Sequence, residues 1–118
     1  MRSPIRHLLI LALFGPFVLF ACRSETSARE IELVARDIAW SQDLIQVEPG
    51  QTVRLLLSNE GALDHDLVIK DLGVDIALAP GENAVIELVF TENGNFEYIC
   101  SVPGHEEAGM VGQLIVGP

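Results

Sequence analysis

An all-β sandwich or barrel is the architecture this 118-residue sequence predicts, and three observations predict it. Short stretches alternate apolar and polar residues with a period of two. Turn signals, several built on a Pro-Gly pair, separate those stretches. No long stretch carries the 3.6-residue period of an amphipathic helix. The length allows one domain with its own core, and no internal repeat divides it.

The chain opens on a targeting segment. Arg2 and Arg6 give a positive start, and residues 8–21 form an apolar run broken only by Gly15-Pro16. That run is too short and interrupted for a membrane-spanning helix, so residues 1–21 are expected to be a secretory signal peptide. Its end, Leu19-Phe-Ala-Cys22, resembles a bacterial lipobox, in which the cysteine is lipidated and becomes the first residue. Lipidation at Cys22 is therefore the expectation, with ordinary cleavage near Ala21 or an uncleaved anchor as the alternatives. Residues 23–29 are polar and without periodicity, so 22–29 reads as a lipid-anchored tether. The domain is expected to span 30–118.

Within that domain the strands follow in order. Ile31, Leu33 and Ala35 alternate with Glu32, Val34 and Arg36, a half-buried strand, whereas residues 37–40 are ambiguous. Residues 44–47 make a short strand, and Glu48-Pro-Gly-Gln51 a turn. Residues 52–57 follow, where the run Leu55-Leu-Leu57 predicts burial on both faces. Residues 67–69 read as a strand and 74–78 as an edge strand or loop. Ala79-Pro-Gly-Glu82 is a second turn, and 84–90 alternates well. After the turn 91–95, a strand carrying Phe96 and Tyr98 runs to Cys100, and 111–116 closes the chain.

Charge narrows the class of partner. Seven basic residues stand against seventeen acidic ones, a formal charge of −10. Removing residues 1–21 takes away two arginines, leaving five basic against seventeen acidic residues, or −12. Such a field repels nucleic acid and attracts basic partners, so no nucleic-acid partner is expected.

The chemistry concentrates between residues 98 and 110. Cys100, His105 and Met110 lie within eleven residues on a loop between two strands, and His65 opens the apolar run 67–69. Two imidazoles, a thiolate and a weak thioether form the donor set of a blue-copper electron-transfer site. Each residue alone has a plain structural reading: a strand histidine, a core thiol, a gap-filling methionine. Their conjunction outweighs those readings. Beyond the leader these are the chain's only histidines, its only methionine and, Cys22 aside, its only thiol. Pairing Cys22 with Cys100 would need a tether at the chain's start, so no disulfide is expected. Glu106 and Glu107 read as a solvated face, since a soft site has no need of carboxylates.

The segment Tyr98-x-Cys100-x4-His105-x4-Met110, with Pro103-Gly104 and Ala108-Gly109 before the later donors, resembles the copper loop of the cupredoxins, the small type 1 blue copper proteins. The four-residue gap from Cys100 to His105 is similar to auracyanin- and rusticyanin-type members. Asn59-x5-His65-Asp66-Leu-Val resembles the family's first-histidine strand, and the likeness runs from Ile31 to Val116. It implies a cupredoxin-like Greek-key β-sandwich or barrel holding one mononuclear copper. His65, Cys100 and His105 would be equatorial ligands and Met110 a long axial one. Many members carry Asn after the first histidine, where it braces the loop. Asp66 stands there here and, when ionised, only accepts, so a brace would come from the Ser101 N–H or hydroxyl.

The expected function is a mobile or membrane-tethered single-electron carrier, not an enzyme, working outside the cytoplasm as a monomer. Its partners would be redox proteins with a basic docking face, and a lipid anchor would hold it to a membrane. Two other classes use the same residues: a copper carrier, with the metal as cargo, and a zinc-stabilised interaction module.

Overall fold

Alternation along the first strand sets the pattern for the whole domain. In a computed structural model describing residues 27–118, β1 (Arg29–Arg36) buries Ile31, Leu33 and Ala35 and exposes Glu30, Glu32 and Arg36. A period of two puts one set of side chains on each face, so the apolar set seeks a second layer. Residues 1–26, with the expected signal peptide, Cys22 and most of the tether, lie outside the described residues. The strand starts one residue before the expected domain boundary.

Two sheets supply the layers. The first contains β1, β2 (Ala39–Trp40), β4 (Thr52–Asn59) and β7 (Asn83–Val89), in the order β2-β1-β4-β7. The second contains β3 (Leu44–Val47), β5 (His65–Ile69), β6 (Val74–Leu78), β8 (Gly94–Ile99) and β9 (Val111–Val116), in the order β3-β9-β8-β5-β6. A single 3-10 turn, Lys70–Leu72, joins β5 to β6. The ambiguous residues 37–40 resolve into a two-residue turn and the short β2, and 74–78 is an edge strand. The sheets are mixed: β1 lies parallel to β4, and β3 parallel to β9. After β2 the chain leaves the first sheet and joins the far edge of the second as β3.

The core lies between the sheets. Leu33, Val53, Leu55 and Leu57 from one layer meet Leu67, Ile69, Tyr98, Leu114 and Val116 from the other, all at most 2% exposed. Burying one such Leu or Ile contributes roughly 1.5–3 kcal/mol. The expectation of burial on both faces of β4 is corrected at Leu56, which is half-buried on the outer face between β1 and β7. The triple leucine reflects a central strand flanked on both sides, not a strand covered above and below. Tyr98 fits only because residue 112 on the paired strand is glycine; a Cβ there would sit inside the phenol ring. The phenol then donates to the Gln42 carbonyl at 2.7 Å, tying the second sheet to the β2–β3 crossover.

Candidate metal centre

One end of the second sheet gathers the donors. β8 runs toward that end and stops at Ile99, and β5 starts there with His65, antiparallel to it with Val68 opposite Ile99. β9 departs from the same end after Met110. Antiparallel pairing thus places His65 beside Cys100, 35 residues away in the chain.

Between β8 and β9 the loop folds back on itself through its own backbone. Cys100 N–H donates to the Met110 carbonyl at 3.0 Å, and Met110 N–H to the His105 carbonyl at 3.0 Å. His105 N–H donates to Val102, and Ala108 N–H to Gly104. Gly104 (φ 86°) and Gly109 (φ 98°) adopt left-handed backbone, which any side chain would disfavour. Each precedes a donor, so the tight turns foreseen at His105 and Met110 are present.

The result is a buried, compact donor set. The ligand atoms of His65, Cys100 and His105 all lie within 4.8 Å of one another. Nδ1 of His65 is 3.7 Å and Nδ1 of His105 3.3 Å from the Cys100 sulfur. Both rings therefore turn the same nitrogen inward. Cys100 and Met110 have no exposed surface, His65 has 2% and His105 6%. Met110 is buried beside the loop's closing hydrogen bonds.

Burial favours the uncharged form of both His65 and Cys100. Burial lowers the His65 pKa below 6.5, His105 lowers it further, and Asp37 and Asp66 oppose the shift. A neutral imidazole has a lone pair to give. Burial likewise pushes the Cys100 thiol above 9.0, against hydrogen bonds from the backbone of Asp66 and Val102. A metal cation would displace that proton and stabilise the thiolate.

The brace foreseen at Asp66 is made twice over. Its two oxygens accept from the Ser101 N–H and hydroxyl. Two further residues shape the site: Asn59, which heads the first-histidine motif, and Asp37, which no sequence signal marks. Asn59, 2% exposed, donates to the carbonyls of Leu63 and Leu78 and accepts from Gly61 N–H, fixing the loop before His65. Asp37 accepts from the N–H groups of Ala62 and Leu63. Asn59 heads the motif Asn59-x5-His65 without its role there being readable, and Asp37 falls in the ambiguous stretch 37–40.

A two-sheet β-sandwich with two imidazoles, a thiol and a thioether at one end defines a cupredoxin, and this donor set fits one mononuclear type 1 copper ion. Residues 9–116 match the cupredoxin-like domain, and the chain belongs to that family. The copper-resistant cuproprotein CopI of Pseudomonas aeruginosa is 26% identical, over 78% of each chain. CopI of Rubrivivax gelatinosus is 31% identical, over 75% of this chain and 66% of that protein. Reduced auracyanin from Roseiflexus castenholzii superposes with a TM-score of 0.67 over 78% of this chain and 99% of its own, at 21% identity, which establishes the common fold.

Proposed function

We propose that the domain is a single-electron carrier whose copper would be held by His65, Cys100 and His105, with the buried thioether of Met110 as a weak further donor. The observation that carries this reading is the convergence of both Nδ1 atoms on the Cys100 sulfur in a buried pocket built by strand ends. Copper bound there would supply one electron by cycling between Cu(I), which favours sulfur, and Cu(II), which favours nitrogen. A donor set that offers both and is held by the sheet serves either state with little rearrangement. No catalytic role is assigned to the chain.

The electron leaves through His105 in this reading, since at 6% exposure it is the least buried of the three close donors. Around it Pro103, Gly104, Ala108 and Gly109 are exposed, and Leu63 is 44% exposed. A small apolar centre suits a redox encounter that separates quickly. Asp64, Glu106 and Glu107 are exposed around it and would steer a basic partner, faster at low salt. Glu60 is a weaker candidate for steering, because Arg36 pairs with it at 3.2 Å. The lipobox-like Leu19-Phe-Ala-Cys22 supports export and anchoring of the mature chain through Cys22.

The names of the CopI relatives favour a second reading, a copper carrier that releases its metal. The two readings separate when copper-loaded protein is cycled repeatedly between redox states with a Cu(I) chelator present. A carrier of electrons keeps its copper and passes one electron per cycle to a basic partner, at a rate that falls with salt. Loss of copper to the chelator within the first reduced interval would instead establish the metal as cargo.

A further inference from the structure

His65 presents a second nitrogen that the metal reading leaves unused. Its Nε2 is buried and has no hydrogen-bond partner among the described residues. The carboxylate facing it is Asp37, whose Oδ1 lies 3.7 Å away, beyond hydrogen-bond length. Burying an N–H without a partner costs about 1–3 kcal/mol, so an anion placed at its edge calls for an explanation.

Several features hold that carboxylate in place. Asp37 occupies the first position of the two-residue turn between β1 and β2. The second is Ile38, 40% exposed, whose φ of 62° is left-handed, unusual for a β-branched residue. Burial of Ile38 therefore does not offset the strain, and local strain of this kind persists where its surroundings over-determine it. Those surroundings are visible. Oδ1 of Asp37 accepts from Ala62 N–H at 2.9 Å and from Leu63 N–H at 3.2 Å. Gly61 makes the room, since a Cβ there would collide with that same oxygen. Asn59 pins the other side of the loop. The nearby acid Asp66 is engaged with Ser101.

We propose that Asp37 is a positioning residue for the metal centre: it orients the His65 ring with Nε2–H toward the carboxylate and the Nδ1 lone pair toward Cys100, and its charge favours the divalent metal. The inference deepens the copper reading and rests on it. Partners of this kind fix the tautomer of a ligating histidine and raise its basicity. A merely structural clamp on Ala62 and Leu63 needs an oxygen at this place but no negative charge. Asp37→Asn keeps such an oxygen and removes the charge; Asp37→Ala removes both.

Two measurements on both variants decide the matter. In the metal-free protein, nitrogen NMR of the His65 ring should show the Nε2–H tautomer in the wild type, and a mixture of tautomers in Asp37→Ala. In the copper-loaded protein, Asp37→Asn should weaken Cu(II) relative to Cu(I) by about ten- to hundredfold. That loss reads as a rise in reduction potential of about 59 mV per factor of ten. An Asp37→Asn protein with wild-type potential, or an Asp37→Ala protein with the wild-type tautomer, would reduce Asp37 to a loop clamp and overturn the proposal. Failure of the copper reading is distinguishable, because it shows as a wild-type protein that takes up no copper. The metal-free NMR then still decides whether Asp37 orients the ring.

Discussion

Asp66 holds Ser101 with both of its carboxylate oxygens, Oδ1 accepting the backbone N–H and Oδ2 the hydroxyl, each at 2.5 Å. One partner follows His65 and the other follows Cys100, so this pair locks the two halves of the donor set together. Hydrogen bonds to a charged group contribute about 1.5–3 kcal/mol each where water is excluded, and less at this half-exposed position. Asp66→Ala should therefore destabilise the metal-free domain by about 1–3 kcal/mol in denaturant titration and speed loss of bound copper. Asp66→Asn retains an oxygen for the N–H, and its amide can donate to the hydroxyl, so its cost should stay below about 1 kcal/mol. An Asp66→Ala protein as stable as the wild type would show that the loop holds itself.

Tyr98 makes the domain sensitive to alkali. Burial raises its phenol pKa from 10.0 to about 12, with Asp43 acting in the same direction. The neutral phenol is thus favoured in the fold, and its contribution is fully present below pH 10. Between pH 10 and 12 the unfolded chain ionises first, and stability on the order of 2 kcal/mol is lost. Tyr98→Phe gives up the bond to the Gln42 carbonyl, about 1 kcal/mol, but has nothing to ionise. Denaturant titrations should therefore find the wild type more stable at pH 8 and the variant more stable near pH 12. A constant difference across that range would contradict the burial argument.

Met110 distinguishes ligation from packing. It is fully buried, so truncation to Ala would cost roughly 2–5 kcal/mol whatever its role. Met110→Leu conserves volume and should cost less than about 1.5 kcal/mol. If the thioether is an axial ligand, Met110→Leu nonetheless raises the reduction potential. Met110→Gln lowers it, because an amide oxygen favours Cu(II). Potentials unchanged in both variants, measured by voltammetry, would make Met110 a core residue only.

The strands and the donors were legible because each leaves a local signature. Alternation marked Ile31, Leu33 and Ala35, and the later strand 111–116 agrees residue for residue with β9. The Pro-Gly pairs placed the turns at 48–51 and 79–82, each closed by a hydrogen bond from the fourth residue to the first. The pairing directions were not legible. A period-two pattern says which face a side chain takes but not whether its neighbour runs parallel, as β1 and β4 do. Leu56 misled for a related reason, since an apolar outer face between two flanking strands looks like a second buried face. Asp37 escaped notice, and the role of Asn59 within its motif was not readable, because both act through backbone contacts across a loop. Asp37 reaches Ala62, 25 residues away, and no spacing within the chain advertises that meeting.

The central claim is that Cys100 binds copper as a thiolate between His65 and His105. The visible absorption spectrum of the oxidised, copper-loaded domain tests it most directly. An intense band toward the red, from charge transfer between the Cys100 sulfur and Cu(II), should appear at one copper per chain. Cys100→Ser should abolish it while leaving the β fold intact by circular dichroism. A colourless wild-type domain that ignores copper and binds one zinc ion tightly would contradict the account and establish an interaction module stabilised by zinc.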